Sequence, residues 1–315
     1  MNRGNCHLSY RKSVYRRRRI RVVLIVIGIV LAVLLALFLI LGNLFFDKVQ
    51  SNPEPPKKGD TPTDVATPFP FESVRHVKAS LLSVNGSTSA VLSRLRALTE
   101  AGSTAVSLPL TDASGTLLYH SEQATVGNYA IRGSASLALS DLAEAAHASG
   151  TYLCGTYVLS AASEENPLTR SVLLAESAAV LAEAFLAGVD DIVIITPSLT
   201  AEQQTELLRL LETVRAFAPN AIVGLSLPEA EIAAPDATRI DSLARAFDYL
   251  ALDLTAYGEE APVTFAESRM STMLYYLLRY EMRVLIPALE DEMTQTALIS
   301  AVEKESVDNW MLVRP

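Results

Sequence analysis

Two acidic residues stand at the ends of runs that read as strands. Asp253 lies in YLALDLTAY (249–257), and Glu290 closes RVLIPALE (283–290). Successive side chains of a strand point to opposite faces. In the first run Leu250, Leu252 and Leu254 form an apolar row suited to packing against helices, which leaves Ala251, Asp253, Thr255 and Tyr257 on the other face. In the second run Val284, Ile286, Ala288 and Glu290 share a row. If both rows line the inside of one barrel, Asp253 and Glu290 converge at its mouth. Two carboxyl groups ~5–9.5 Å apart are what hydrolysis of a glycosidic bond requires, one as acid and the other as base or nucleophile. The competing reading is structural: Asp253 is a buried acid paired with Lys78 or Arg283, and Glu290 caps the next helix.

Aromatic rings form the second set of candidates. Tyr119, Tyr157, Tyr257 and Trp310 lie on or just after predicted strands. At a barrel mouth such rings stack on sugar faces; elsewhere they are core packing. Asp112, in LTDASGTLLY, starts a turn. Asp112, Tyr119, Tyr257 and Trp310 are therefore the ligand-binding candidates. Other chemistries lack their signatures: there is no G-x-S-x-G, no phosphate loop, no G-x-G-x-x-G and no H-E-x-x-H. His7, His76, His120 and His147 are scattered, and His147 belongs at the solvated or core edge of an Ala- and Ser-rich helix. No metal and no cofactor is expected.

The elements that must position these residues alternate regularly after residue 76. Strands are predicted at 77–84, 104–112, 151–160, 191–197, 221–228, 249–257, 283–290 and 307–315, with seven helical segments between them. In TAEQQTELLRLLETVRAFAPN, Thr200 and Gln203 have capping-box spacing, and Leu207, Leu210, Leu211, Val214 and Phe217 are expected on one face. Gly102, Gly150 and Gly188 stand where helices should stop. Strict alternation predicts an α/β fold with a parallel sheet, and eight units over 76–315 match a (β/α)8 TIM barrel lacking its last helix. An open doubly wound sheet is the alternative, but no Gly-rich nucleotide turn follows the first strand.

Charge and hydropathy place this barrel at the end of a tether. Residues 1–21 carry eight of the 26 basic residues and no acid, so the rest of the chain has 18 basic against 35 acidic residues, a net of −17. That acidic body repels phosphates and excludes nucleic-acid binding. Residues 22–46 contain no charge, are apolar all round and exceed the ~20 residues that span a bilayer core. The run is too long for a signal-peptide core and is not followed by an A-x-A cleavage pattern. A single transmembrane helix with the basic tail cytoplasmic and the body extracellular is expected. Residues 47–75 hold six of the 15 prolines and read as a spacer, roughly 80 Å long if extended. Cys6 and Cys154 fall on opposite sides of the membrane in this scheme and form no staple.

The order of elements over about residues 75–315 resembles the glycosyl hydrolase domain family of bacterial envelope proteins, a TIM-barrel group related to glycoside hydrolases. PLTDASGTLLY keeps Asp112, Gly115 and Tyr119; TYLCGTYV keeps Tyr152 and Gly155 but has Thr156 for an arginine; Pro287 and Leu289 are kept, with Ala288 for an aromatic; NWMLVRP keeps Trp310, Leu312 and Pro315, with Val313 for a second Trp. GVDDIVIIT keeps Gly188, Asp190 and Ile192, but Ile195 stands where that family has a strand-end Asp. Ser226 and Pro109 occupy two further acidic positions. The resemblance implies a barrel of glycosidase descent that has lost much of its charged and sugar-stacking equipment. Three functions follow as alternatives: a catalytically degenerate barrel that binds glycan or scaffolds the envelope; an active glycoside hydrolase using Asp253 and Glu290; and a protein-docking module with an apolar patch where the eighth helix is absent.

Overall fold

The computed structural model describes residues 76–123, 136–159, 167–196, 198–257, 261–305 and 307–314. The tail, transmembrane helix and spacer expected over 1–75 lie outside the described residues, among which no helix is long and apolar enough to cross a membrane. Eight parallel strands close into a barrel in chain order: β1 (Lys78–Leu81), β2 (Ala105–Pro109), β3 (Tyr152–Val158), β4 (Asp191–Ile195), β5 (Ile222–Leu227), β6 (Tyr249–Asp253), β7 (Met282–Pro287) and β8 (Trp310–Val313). The described helices are α1 (Thr88–Glu100), α2 (Leu139–Ala148), α3 (Pro167–Leu186), α4 (Ala201–Phe217), α5 (Glu229–Ala233), α6 (Ala237–Ala246), α7 (Pro262–Leu277) and α8 (Glu292–Lys304). The short α5 is an addition to the seven helices expected. All eight predicted strands form, and most stop short of their predicted C-terminal ends. Those extra residues are the loops of the barrel's C-terminal mouth. Among the described residues no helix follows β8.

Local signals explain the helix limits. Thr200 and Gln203 form the expected reciprocal cap on α4: Thr200 N–H donates to Gln203 Oε1 at 2.7 Å, and Gln203 N–H donates to Thr200 Oγ1 at 3.2 Å. Leu207, Leu210, Leu211 and Val214 are buried as predicted, but Phe217 is 64 % exposed. The apolar stripe continues one residue later at buried Ala218, which turns Phe217 outward. Gly102, Gly150 and Gly188 end helices with φ of 94°, 69° and 104°. At Gly188 a side chain would also meet Ala143 Cβ at 2.9 Å. Beside it, Asp190 accepts from Leu153 N–H at 2.8 Å and pairs with His147 Nε2 at 3.1 Å, which fastens α2 to the start of β4. This pairing raises the His147 pKa.

The barrel interior holds a full ion pair. Arg283 Nη1 and Nη2 donate to Asp191 Oδ1 and Oδ2 at 2.9 and 2.8 Å, and both residues are fully buried. Tyr152 and Tyr249 hydroxyls donate to the same carboxylate at 2.8 and 3.2 Å. Arg283 Nε donates to Asn309 Oδ1 at 2.8 Å, and the guanidinium carbon lies 4.4 Å from the centre of the Tyr249 ring. Small neighbours make the room. A side chain on Gly224 would come within 2.2 Å of the Tyr249 ring, and Ala79, Cys154 and Ala251 line the same space.

This pair corrects the predicted face of β7. Register pairs Ala251 with Arg283 and Asp253 with Leu285, so Arg283, Leu285 and Pro287 face the interior. Val284 and Ile286 pack with Leu250 and Leu252 between sheet and helices. A rule that keeps arginine out of a core fails here because Asp191 compensates its charge. Lys78 and Arg283 likewise do not pair with Asp253: Lys78 joins Glu303 of α8 at 2.7 Å. Removing one partner of the buried pair should be costly, so Asp191→Ala is expected to lose about 3–5 kcal/mol in urea denaturation. The double change Asp191→Leu with Arg283→Met should cost less than the single one; a single variant as stable as the native chain would contradict this role.

Candidate functional site: the C-terminal mouth of the barrel

Reactive groups of such barrels gather at the C-terminal ends of the strands. The pairing registers place interior side chains in layers, alternating between odd and even strands. The even strands present Pro109, Ile195, Asp253 and Val313 at the mouth. Beneath them the odd strands present Leu81, Thr156, Ser226 and Leu285. Asp253 is the one carboxylate in these two layers. Ile195 packs against the interior apolar cluster, so the end of β4 brings no ionisable side chain to the mouth. One even-strand layer lower, Ser107 Oγ is buried without a hydrogen-bond partner.

Asp253 is part-buried and held from below and from its own loop. Its Oδ1 accepts from Thr255 N–H at 2.9 Å and from Thr255 Oγ1 at 2.6 Å, and its Oδ2 accepts from Ser226 Oγ at 3.3 Å. No ion pair to a cation forms on it among the described residues. Burial raises its pKa, and the Thr255 and Ser226 hydrogen bonds only oppose that rise.

The other predicted residues do not join it. Glu290 lies on the loop after β7 and is exposed, with no hydrogen bond to Asp253. It does not cap α8 either: Asp291 does, accepting from Thr294 N–H at 2.9 Å. Asp112 is a turn former, its Oδ1 accepting from the backbone N–H of Ser114 and of Thr116 at 2.9 Å each. Tyr119 is buried and donates to Val180 O of α3 at 3.1 Å. Tyr157 points to the helix layer, donates to Ser177 Oγ at 2.9 Å, and has its phenol pushed up to about 12 by burial. Trp310 opens β8 and therefore sits at the opposite end of the barrel, where its Nε1 donates to Glu303 Oε1 at 3.3 Å. Tyr257, part-buried on the loop after β6, is the one aromatic candidate on the Asp253 side of the mouth.

Sequence reasoning missed the rim acids Glu229 and Glu231 on α5. Their charges are already matched, Glu229 by Arg269 of α7 at 2.5 Å and Glu231 by Arg239 of α6. Arg239 also donates to Leu199 O at 2.9 Å, so these pairs fix the rim from the β4 loop to α7. Two acids beside a proline at a strand end, in LPEAE, were the available signal. Among the described residues no cluster of His, Cys, Asp and Glu could hold a metal ion.

No protein-family model matches the chain, and no curated relative matches it. Solved structures do. An unliganded α-L-fucosidase from Lactobacillus casei matches at 11% identity and TM-score 0.40, covering 77% of this chain and 88% of its own. A Thermotoga maritima structure in complex with cellobiose matches at 12% identity and TM-score 0.49, covering 78% and 92%. A deoxyribose phosphate aldolase from Aeropyrum pernix matches at 16% identity and TM-score 0.43, covering 77% and 87%. The likeness is one of fold. Hydrolase and aldolase appear side by side, and similarity this remote carries no argument about activity.

The raised pKa of Asp253 has a consequence for stability. A carboxyl group bound more tightly to its proton in the folded than in the unfolded state weakens the fold where it is ionised. The penalty is absent well below the ordinary value of 3.8, grows as pH rises through the folded pKa, and is complete above it. Asp253→Asn keeps an acceptor for Thr255 and removes the charge. It is expected to raise the melting temperature by a few degrees at neutral pH, with the gain vanishing in acid. A variant that melts earlier at neutral pH would show that the charge is compensated.

Proposed function

We propose that this protein is a membrane-anchored extracytoplasmic barrel of glycoside-hydrolase type that has lost hydrolysis and serves to bind glycan or to scaffold the cell envelope. The observation that carries the reading is the composition of the mouth. Where two carboxyl groups are needed, the interior strand layers at the mouth supply Asp253 alone among the described residues, and Glu290 lies exposed on a loop. The pattern of kept and changed residues supports it. Asp112, Tyr119, Tyr152, Gly155, Gly188 and Asp190 hold turns, hydrogen bonds or close packing. Pro109, Thr156, Ile195, Ser226 and Val313 face the mouth and all depart from the family pattern; Ala288, the sixth departure, follows β7 on the opposite row.

The remainder of the reading rests on sequence. The apolar run 22–46 anchors the chain, the basic residues before it stay in the cytoplasm, and the Pro-rich spacer carries the barrel toward cell-wall or extracellular glycan. The protein-docking alternative calls for an apolar patch beside β8. That seam is instead bridged by Glu303, which accepts from both Lys78 and Trp310, and the exposed large apolar side chains lie on helices rather than on β1 or β8.

The test is to incubate the full chain in detergent with peptidoglycan fragments and common bacterial and plant polysaccharides, scoring retention and new reducing ends together. Retention without cleavage is expected. Cleavage that Asp253→Asn or Glu290→Gln abolishes would restore the hydrolase, and absence of both signals would favour protein docking.

A further inference from the structure

Five acids at partly or fully buried sites of this barrel each have a basic partner. Asp191 has Arg283, Asp190 has His147, Asp248 has Arg215, Glu231 has Arg239 and Glu229 has Arg269. Part-buried Glu183, Asp241 and Asp253 hold only hydroxyl or amide donors, and of these Asp253 alone lies on a barrel strand. Asp253 stands at the mouth, one layer beneath Val158 and Pro287, with hydroxyl and amide donors on it but no ion pair to a cation among the described residues.

Four described arginines are committed elsewhere. Arg239 and Arg269 are bound to the α5 acids, Arg283 lies below with Asp191, and Arg94 donates to the Ser83 and Asn85 carbonyl oxygens of the β1 loop. Arg314 follows Val313, and alternation turns it away from the interior. The carboxylate also has room to accept: Oδ2 receives a single hydrogen bond, from Ser226 at 3.3 Å, while Oδ1 receives two. Outside the first 21 residues the chain carries a net charge of −17, so its overall field favours the approach of cations over anions.

Resting on the glycan-binding reading above, we infer that the mouth selects amine-bearing sugars, with an unacetylated amino sugar placing its ammonium group on Asp253 Oδ2. The ammonium supplies the counter-charge that the described residues do not give this interior acid. Ser226, Thr156 and Thr255 are left to meet ring hydroxyls. Uronic acids and phosphorylated sugars, for which no cation among the described residues of the interior layers is free, are disfavoured by the same logic.

Titration calorimetry on the full chain in detergent tests this with an oligomer of β-1,4-linked glucosamine, its fully N-acetylated counterpart, and oligolysine. The amine oligomer is expected to bind about tenfold more tightly than the acetylated one, with the ratio falling to near unity in Asp253→Asn. The ratio should also fall in the native chain as acid protonates Asp253, which keeps the test available if the variant does not fold. Equal binding of the two sugars, or a preference that survives both treatments, would overturn the amine assignment and leave glycan binding standing. Tighter binding of oligolysine would overturn it in favour of a basic peptide. Binding of none of the three would remove the glycan-binding reading itself.

Discussion

The Arg283–Asp191 pair sets the terms for the rest of the barrel. Bringing two ions into an apolar interior is costly, and it is tolerated because each is hydrogen-bonded on several sides: two bonds between the ions, two tyrosine hydroxyls on the carboxylate, and Asn309 on the guanidinium. The bulk of Arg283 and Tyr249 then dictates the small residues around them, with Gly224 the extreme case because no side chain fits beside the Tyr249 ring. The pair joins strands β4 and β7 across the lumen, so it ties opposite walls together. It also lies toward the N-terminal ends of the strands, the end of such barrels that serves stability and not chemistry.

Its position decides what is left for the mouth. With the interior arginine spent below, the upper layers keep hydroxyls, prolines and aliphatic side chains around one acid. The rim acids on α5 are neutralised by arginines from neighbouring helices, which stiffens that side of the mouth without adding reactive charge. Asp253 is thus electrostatically isolated in a way that Asp191, Asp190 and Glu231 are not. Isolation of this kind disfavours the fold slightly and gives a cationic or hydrogen-bond-donating ligand something to gain.

Much of the scaffold is legible in the residues alone. Apolar runs bounded by turn residues mark all eight strands, the Thr200–Gln203 cap marks α4, and three glycines mark helix ends. The β6 row carrying Asp253 is also legible as interior, because its opposite row is uniformly leucine. The β7 row is not. Charge argues for an outward Arg283, and only its compensation by Asp191, 92 residues earlier in the chain, reverses that. Sequence does carry a trace of the pair, since Asp191 and Arg283 each sit inside an otherwise apolar run. Trp310 misleads for a different reason: ring chemistry suggests a mouth, but a residue at the start of a strand belongs to the other end. Phe217 and Tyr119 show the same limit, as which ring is buried depends on a one-residue rotation of a helix and on the path of a loop.

Among the described residues Asp253 is a carboxylate at the mouth with no compensating cation. Its titration in the folded chain tests this directly, followed through the side-chain carboxyl carbon by nuclear magnetic resonance and assigned by loss of the signal in Asp253→Asn. The predicted midpoint lies above the ordinary aspartate value of 3.8 and moves downward when an amine-bearing ligand is added. A midpoint at or below that value without ligand would mean that hydrogen bonds or a cation of the protein already stabilise the charge on Asp253, and the mouth would then hold no acid waiting for a counter-charge.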